Sequence, residues 1–142
     1  MSTNEERPFR CGLEVRKITE DFSGLFSKSF VDKGKVILNL SKVAYKGWRF
    51  PFPFVFYSDT PTRTSIQIGD KHVEHHLGSY INHHCEPNCK VIPSKSTIVT
   101  KRDIRQDEEI TIDYLQTEST LAEPFRCDCC NGKPIIGKKQ SS

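Results

Sequence analysis

The chain has 142 residues, which fits one domain of ordinary size. Hydrophobic residues make up 35% and charged residues 27%, the composition of an ordinary, rather polar globular protein. The longest apolar run, Phe54–Tyr57, is too short to cross a membrane. No basic start followed by an apolar stretch marks a secretory signal, so we expect a cytoplasmic or nuclear protein that is not secreted. The formal charge of +3 is too small to indicate nucleic-acid binding without a basic stripe.

Short segments with strand character follow one another from the start of the chain. Leu13–Ile18 predicts a strand, and Ser23–Gly24 predicts a turn that leads into two apolar residues. Asp32–Gly34 predicts a second turn, and the β-branched segment Val36–Leu40 predicts the strand after it. The pattern is typical of a mainly β domain.

The second half of the chain continues in the same way. Trp48–Tyr57 carries two prolines among aromatic residues, which favours an extended loop or an edge strand over a helix. Helical periodicity is scarce, and the best candidate is a turn or two within Glu74–Tyr80. Further strands are predicted at Ser65–Ile68, Val91–Ile92, Thr97–Thr100 and Ile110–Tyr114.

The six cysteines are more informative than the charge, because five of them lie in two tight groups. In a reducing compartment, clustered thiols bind metal more often than they form disulfides. Zinc takes four nitrogen or sulfur ligands in a tetrahedron, and two distant groups can converge on one ion. The two groups are Cys85 with Cys89, and Cys127 with Cys129 and Cys130.

Two segments, Tyr80–Cys89 and Asp107–Tyr114, concentrate the residues that can carry chemistry. The first places two histidines, two asparagines and two thiols around Pro87. Judged by composition alone, a structural zinc knuckle and a ligand-binding loop explain this segment equally well.

The order of the motifs adds a family resemblance that covers nearly the whole chain. Upstream, Ser23–Ser27 looks like the N-terminal glycine turn of SET domains, and Asp32–Ile37 looks like the turn and strand after it. Downstream, Phe125-x-Cys127-x-Cys129 is similar to the cysteine-rich segment that follows many SET domains. The strongest resemblance to the SET domain of protein-lysine methyltransferases lies in three motifs: Asn82-His83, Cys85-x-Pro87-Asn88, and Glu108-Glu109-Ile110-Thr111-x-Asp113-Tyr114.

The resemblance implies a mainly β SET fold of several small sheets with a C-terminal pseudoknot. It divides the chain into a flexible N-terminus (1–8), a SET domain (9–118), a post-SET-like cysteine-rich segment (119–137) and a flexible tail (138–142). The implied activity is transfer of a methyl group from S-adenosylmethionine to a lysine of a protein, such as a histone or another basic tail.

The chemistry of that reaction sets modest demands on the protein. The cofactor already carries the activated carbon, so the protein supplies positioning and a dry channel. A free lysine amine has a pKa of about 10.4, and desolvation beside a positive sulfonium favours its neutral, reactive form.

By resemblance, Tyr114 is the catalytic residue, with its hydroxyl beside the transferring methyl and the lysine nitrogen. Without the motif, an ordinary core tyrosine would explain Tyr114, and a turn would explain Gly24. The same resemblance implies a lysine channel that includes Ile112 and Tyr80, and Tyr45 or Tyr57 is the candidate to replace the channel tyrosine that family members carry in the strand after Gly34. It implies a cofactor site formed by Gly24, Leu25, Phe26, Asn82, His83, Tyr114 and Phe125. Asn88, after Pro87, is interpreted as a turn residue.

The zinc site departs from the family pattern, because the last cysteine spacing is shortened. By resemblance the ligands are Cys85, Cys127, Cys129 and Cys130, with Cys89 as a substitute. Reduced thiols in a small pocket are the alternative.

Other departures keep two further functions open. Phe22 replaces a usual glycine, His84 replaces a usual serine, and Leu38–Leu40 lacks an expected tyrosine. A SET-like binding module without catalysis is one alternative, and a zinc-stabilised interaction domain for nucleic acid is the weaker one, because basic and acidic residues interleave. The aromatic stretch Trp48–Phe56 is a candidate homodimer contact, or else part of the core.

Overall fold

The computed structural model describes residues 12–43, 53–119, 125–127 and 133–135. Within these ranges the strands form small sheets of two or three strands, which confirms the mainly β prediction. No helix in the described ranges is long and apolar enough to span a membrane. The strands are β1 (Leu13–Lys17), β2 (Ser23–Ser27), β3 (Val36–Asn39), β4 (Val55–Ser58), β5 (Ile66–Ile68), β6 (Lys71–His75), β7 (Asn82–His83), β8 (Cys89–Ile92), β9 (Thr97–Thr100), β10 (Thr111–Ile112), β11 (Phe125–Cys127) and β12 (Lys133–Ile135).

The first hairpin places its turn earlier than the sequence predicted. β1 and β2 pair antiparallel, with Arg16 opposite Gly24, so Ser23–Gly24 lies inside a strand. The reversal is made by Thr19, whose hydroxyl accepts the backbone N–H of Phe22 at 3.1 Å. The prediction of a turn at Ser23–Gly24 is wrong because the polar residues before it close the hairpin.

The central sheet has the order β3-β9-β8 and carries much of the core. The predicted turn at Asp32–Gly34 is confirmed, and Gly34 adopts a φ of +84°, which favours glycine. The core is built from buried aliphatic residues contributed by several sheets: Leu25, Ile37, Leu38, Leu40, Ile66, Val73, Leu77, Ile81, Ile98, Ile104, Ile110 and Ile112.

A second sheet has the order β4-β6-β5, and β4 is the edge strand predicted within Trp48–Tyr57. Residues 44–52 of that region lie outside the described ranges. The helix predicted within Glu74–Tyr80 is wrong, because β6 runs through His75 and only a single 3-10 turn, Gly78–Tyr80, follows. Pairing of β6 with strands on both sides outweighs the weak helical pattern.

A parallel pair, β7 with β10, joins the two chemical segments of the sequence. The predicted strand Ile110–Tyr114 is shorter than expected, and Tyr114 begins a short α-helix, Tyr114–Thr117, called the Tyr114 helix below. Asp113 ends the strand because its side chain accepts the N–H of Leu115 at 2.9 Å and caps the helix. A C-terminal pseudoknot needs such a pairing between distant segments, and the pseudoknot itself stays a prediction.

A buried histidine pair fixes the connection between β6 and β7. His75 and His76 are fully buried and stack with ring centroids 4.5 Å apart. His75 Nδ1 accepts the N–H groups of Leu77 and Gly78, each at 3.1 Å, and Nε2 donates to the Lys42 carbonyl at 2.7 Å. Burial lowers the pKa of His75 to about 4, because a proton on Nδ1 would displace two donors.

We expect the stability of the protein to fall in acid through His75. The unfolded chain binds this proton near pH 6.5, so the contribution is complete above that pH and is lost as the pH falls towards about 4. The loss from this group is on the order of 3 kcal/mol. Urea unfolding between pH 7 and pH 4.5 measures it, and His75→Gln should flatten the pH dependence. The exposed His84→Gln variant is the control, and an equal flattening there would contradict the assignment.

Candidate active site

The glycine-bearing strand β2 lies directly against the segment that leads into β10. The Ile110 N–H donates to the Leu25 carbonyl at 2.7 Å, and the Ser27 N–H donates to the Glu108 carbonyl at 2.9 Å. Asp107 makes the preceding turn with a φ of 67°, a left-handed conformation that aspartate tolerates. These bonds bring the N-terminal motif of the sequence to the C-terminal one.

Gly24, Asn82 and Glu109 meet at this junction. Asn82 Nδ2 donates to the Ser23 carbonyl at 3.0 Å and to Glu109 Oε2 at 2.7 Å. Both amide hydrogens are therefore used, and Asn82 Oδ1 remains as the acceptor to which no described residue donates. A Cβ at Gly24 would lie 2.5 Å from Glu109 Oε2 and 3.1 Å from Asn82 Nδ2, so any larger residue would have to displace the Glu109 carboxylate.

Asn88 ties the two motifs together from the other side. It is 1% exposed, and its Oδ1 accepts the Thr111 N–H at 2.9 Å while its Nδ2 donates to the Glu109 carbonyl at 2.7 Å. Asn88 lies at a bend directly before β8, in keeping with its interpretation as a turn residue, and its side chain has this second role. Its amide pairs with a strand-like backbone and holds the segment before β10 in place.

Three rings form the other half of the site. Tyr114 lies 5.3 Å from His83 and 6.1 Å from Phe125, and His83 lies 6.0 Å from Phe125, measured between ring centroids. The Tyr114 hydroxyl donates to the Ile81 carbonyl at 2.7 Å, and its backbone N–H donates to His83 Nδ1 at 3.0 Å. Tyr114 is thus fixed at both ends beside Asn82.

The protonation states at the rings follow from burial. Burial raises the pKa of the Tyr114 phenol far above neutrality, and Glu118 and Glu109 act in the same direction. Burial lowers the pKa of His83, against a smaller opposing effect of Asp113. At neutral pH the site therefore presents a neutral imidazole and an un-ionised phenol whose hydrogen is donated to the Ile81 carbonyl, so Tyr114 is not placed to act as a base.

The remaining predicted cofactor residues differ in their exposure to solvent. Leu25 is fully buried in the core, and its carbonyl accepts the Ile110 N–H, so the residue supports the site from within the fold. Phe26 is half-buried beneath the Arg16 guanidinium, which lies 5.2 Å from its ring centroid. Phe125 remains 38% exposed, which leaves a ring face available beside Tyr114.

The predicted channel residues do not all come together. Ile112 is 1% exposed and lines a cavity of about 610 Å³ on the side of the Tyr114 helix. Tyr80 is partly buried and packs against the core at the 3-10 turn. Tyr57 lies on β4 opposite Val73 and is 54% exposed, away from the ring cluster. Tyr45 lies outside the described residues.

The predicted metal ligands are only partly described. Cys85 is disulfide-bonded, and its Sγ lies 3.6 Å from His83 Nε2. Cys129, Cys130 and the side chain of Cys127 lie outside the described part of the chain. Within that part, no group of three or more His, Cys, Asp or Glu side chains could hold a metal ion. Cys89, the predicted substitute ligand, is fully buried, and burial raises the pKa of its thiol to about 12.

Sequence reasoning missed Glu109 as part of the site. Its carboxylate accepts from Asn82 and fills the space above Gly24, although the residue stands in a run of acids typical of a solvated turn. The departures at Phe22 and His84 lie at the surface: Phe22 is 61% exposed, and His84 Nδ1 accepts the Glu86 N–H at 2.9 Å.

Comparison with known families matches residues 23–115 to the SET domain. The Caenorhabditis elegans protein set-23, named as a histone-lysine N-methyltransferase, is 33% identical over 66 residues, which are 42% of this chain and 26% of that protein. The Drosophila melanogaster histone-lysine N-methyltransferase ash1 is 32% identical over 68 residues, 42% of this chain and 3% of that protein. The chain thus spans about a quarter or less of these relatives.

Among solved structures, a Plasmodium falciparum protein assigned as a histone methyltransferase aligns with a TM-score of 0.49 at 17% sequence identity. The alignment covers 72% of this chain and 92% of that chain.

The contact between Gly24 and Glu109 yields a coupling prediction. Gly24→Ala places a methyl group against Glu109 Oε2, and we expect it to destabilise the fold by about 1–3 kcal/mol. Gly24→Ala combined with Glu109→Ala removes the atom that the methyl group meets, so the double variant should lose less than the sum of the single variants. Urea unfolding of all four proteins measures the coupling, and strict additivity would show that the two residues do not touch.

Proposed function

Because the chain belongs to the SET domain family, whose match covers residues 23–115, we propose that it transfers a methyl group from S-adenosylmethionine to a protein lysine side chain. The observation that supports this best is the β7–β10 pairing, which brings Asn82, His83 and Tyr114 into one site. The relatives named as histone-lysine methyltransferases agree with a protein lysine as the acceptor.

The polar and aromatic groups of the site suit that cofactor. S-Adenosylmethionine would supply a methyl carbon activated by its sulfonium sulfur. Asn82 Oδ1 is an acceptor held in one orientation, which suits the α-ammonium group of the methionyl end. The half-exposed ring of Phe125 and the backbone of His83 would bind the adenine.

Tyr114 would position the lysine amine and would not remove its proton. The phenol stays protonated because burial raises its pKa, and its hydrogen is directed to the Ile81 carbonyl. The phenol oxygen keeps acceptor capacity, which can orient the lysine nitrogen. Neutral aromatic walls at His83 and Phe125 exclude water and favour the uncharged amine.

Ile112 would form the wall of the lysine channel. It is a buried aliphatic side chain without a hydroxyl that could hold a water or restrain a methylated amine. We therefore propose that the channel permits more than one methylation.

Methyl transfer and its dependence on Tyr114 test the proposal directly. Purified protein is incubated with radiolabelled S-adenosylmethionine and a lysine-rich protein mixture. Tyr114→Phe removes the hydroxyl and should lower label transfer on the order of a hundredfold. Tyr57→Phe makes the same chemical change on an exposed ring and should leave transfer intact.

Cofactor binding by calorimetry on the same samples separates the alternatives. Binding without transfer in the wild type would identify a binding module without catalysis. Equal losses in the Tyr114 and Tyr57 variants, or no cofactor binding at all, would overturn the proposal.

We also propose a zinc site at Cys85, Cys127, Cys129 and Cys130, which the family resemblance supports. Under reducing conditions we expect one zinc per chain by metal analysis, lost in Cys85→Ser. Cys89→Ser should keep the metal, because the Cys89 thiol is buried and un-ionised. Titration of the thiols after reduction, with no bound zinc, would show reduced cysteines in place of a metal site.

A further inference from the structure

The acids that precede β10 are already used within the chain. Asp107 pairs with Arg16 at 2.8 Å, and Glu108 pairs with Arg102 at 2.6 Å. Glu109 accepts from Asn82, and Asp103 accepts the backbone N–H of Lys33 at 2.9 Å. The sequence placed four acids here that could attract a basic peptide. Two of the four carboxylates, Asp107 and Glu108, are therefore balanced by arginines, whereas Asp103 and Glu109 accept only from neutral donors, so the pairing weakens the attraction for a basic peptide.

The cavity beside the Tyr114 helix carries charge of the opposite sign. Its volume is about 610 Å³, and both Lys90 and Lys101 line it. Lys90 lies on the edge strand β8, and Lys101 directly follows β9, where its N–H donates to the Asn88 carbonyl at 2.8 Å. The two lysines therefore stand at the same end of the β8–β9 pair.

These two cations lack an acidic partner in the described part of the chain. Neither Lys90 nor Lys101 takes part in an ion pair there, and both are exposed. Asp113 is the acidic residue of the described lining, and it is engaged, because Oδ1 accepts the Leu115 N–H at 2.9 Å and lies 3.6 Å from His83 Nδ1. Two lysines against one carboxylate give the described lining of the cavity a net positive charge.

The cavity reaches the place where the acceptor lysine would enter. Ile112, the channel residue, lies in its wall, two residues before Tyr114. Pro87 and Val91 add apolar surface to the same wall. An extended peptide bound there would bring residues near its lysine within reach of the two cations.

We propose that Lys90 and Lys101 select protein substrates that carry anionic side chains beside the target lysine, either aspartate and glutamate or phosphoserine. This inference rests on the proposed methyl transfer to a protein lysine. A basic tail is disfavoured, since it would meet two lysines in the cavity, and two of the carboxylates outside it, Asp107 and Glu108, are already paired with arginines. A mixed apolar and cationic cavity suits a peptide better than a nucleic-acid backbone, which requires a longer basic stripe.

Peptide binding to the whole chain tests the selection without requiring activity. Fluorescence anisotropy compares labelled peptides that share a central lysine and differ only in flanking aspartate, phosphoserine, alanine or lysine. We expect the two anionic peptides to bind at least about fivefold more tightly than the alanine peptide, and the lysine peptide to bind weakest. The advantage should shrink as salt rises from about 50 mM to about 300 mM. Comparing the affinities of the phosphoserine and aspartate peptides shows which of the two anionic groups the cavity prefers.

Charge-reversal variants assign the effect to the cavity. Lys90→Glu combined with Lys101→Glu should reverse the order of the peptides. Lys28→Glu combined with Lys42→Glu makes the same charge change at exposed positions outside the cavity lining and should preserve the order. Tighter binding of the lysine peptide by the wild type, or equal effects of the two double variants, would overturn the inference.

Two further measurements distinguish the proposed charge preference from nucleic-acid binding and from the proposed methyl transfer. Unlabelled peptide and a short DNA duplex are compared as competitors of the labelled peptide. Displacement by the duplex at a lower concentration than by the unlabelled peptide would show that the two lysines bind nucleic acid, and would overturn the proposed substrate selection. The radiolabel assay on the same peptides then tests the chemistry. The predicted order of binding without any methyl transfer would refute the proposed function while leaving the charge preference of the cavity established.

Discussion

The parallel pairing of β7 with β10 is the contact on which the rest of the site depends. These strands are only two residues long, so their own backbone bonds cannot hold two distant segments together. The buried amide of Asn88 supplies the missing support by binding the backbone of both Thr111 and Glu109. Leaving either buried backbone group without this partner would cost about 1–3 kcal/mol, which explains why a buried asparagine occupies the position.

A second set of polar contacts fixes the orientation of the Asn82 side chain. Glu109 and the Ser23 carbonyl take both hydrogens of the Asn82 amide, and Gly24 leaves the space that the carboxylate fills. An amide with two acceptors on one side cannot rotate without losing both bonds. The site is therefore organised by hydrogen bonds made before any ligand binds, which is the arrangement that lowers the cost of binding.

The sequence predicted the parts of this arrangement that are local. Thr97–Thr100 and Asp32–Gly34 form the expected strand and turn, because β-branched residues and turn residues act over a few neighbours. The motif order identified Asn82, His83 and Tyr114, and the structure brings them together. The sequence could not reveal the roles of Asn88 and Glu109. An asparagine or an acid that binds another segment through hydrogen bonds cannot be told from a solvated loop residue by sequence alone. Their roles arise from contacts more than twenty residues away.

The rings around Tyr114 are neutral and the cavity beside them is lined by lysines, and this difference bears on the proposed substrate selectivity. The rings around Tyr114 are un-ionised, since burial shifts the pKa of both the phenol and the His83 imidazole away from charging at neutral pH. If the domain transfers methyl groups to protein lysines as proposed, a neutral, fixed centre would not distinguish one lysine from another by charge, because every acceptor lysine would enter in the same form. Discrimination must then come from side chains that the peptide meets before the channel, where solvent-exposed charges act over about 8–10 Å. In the described part of the chain Asp107 and Glu108 are paired with arginines, whereas Lys90 and Lys101 form no ion pair, so the net positive lining of the cavity would set the sign of the proposed selectivity.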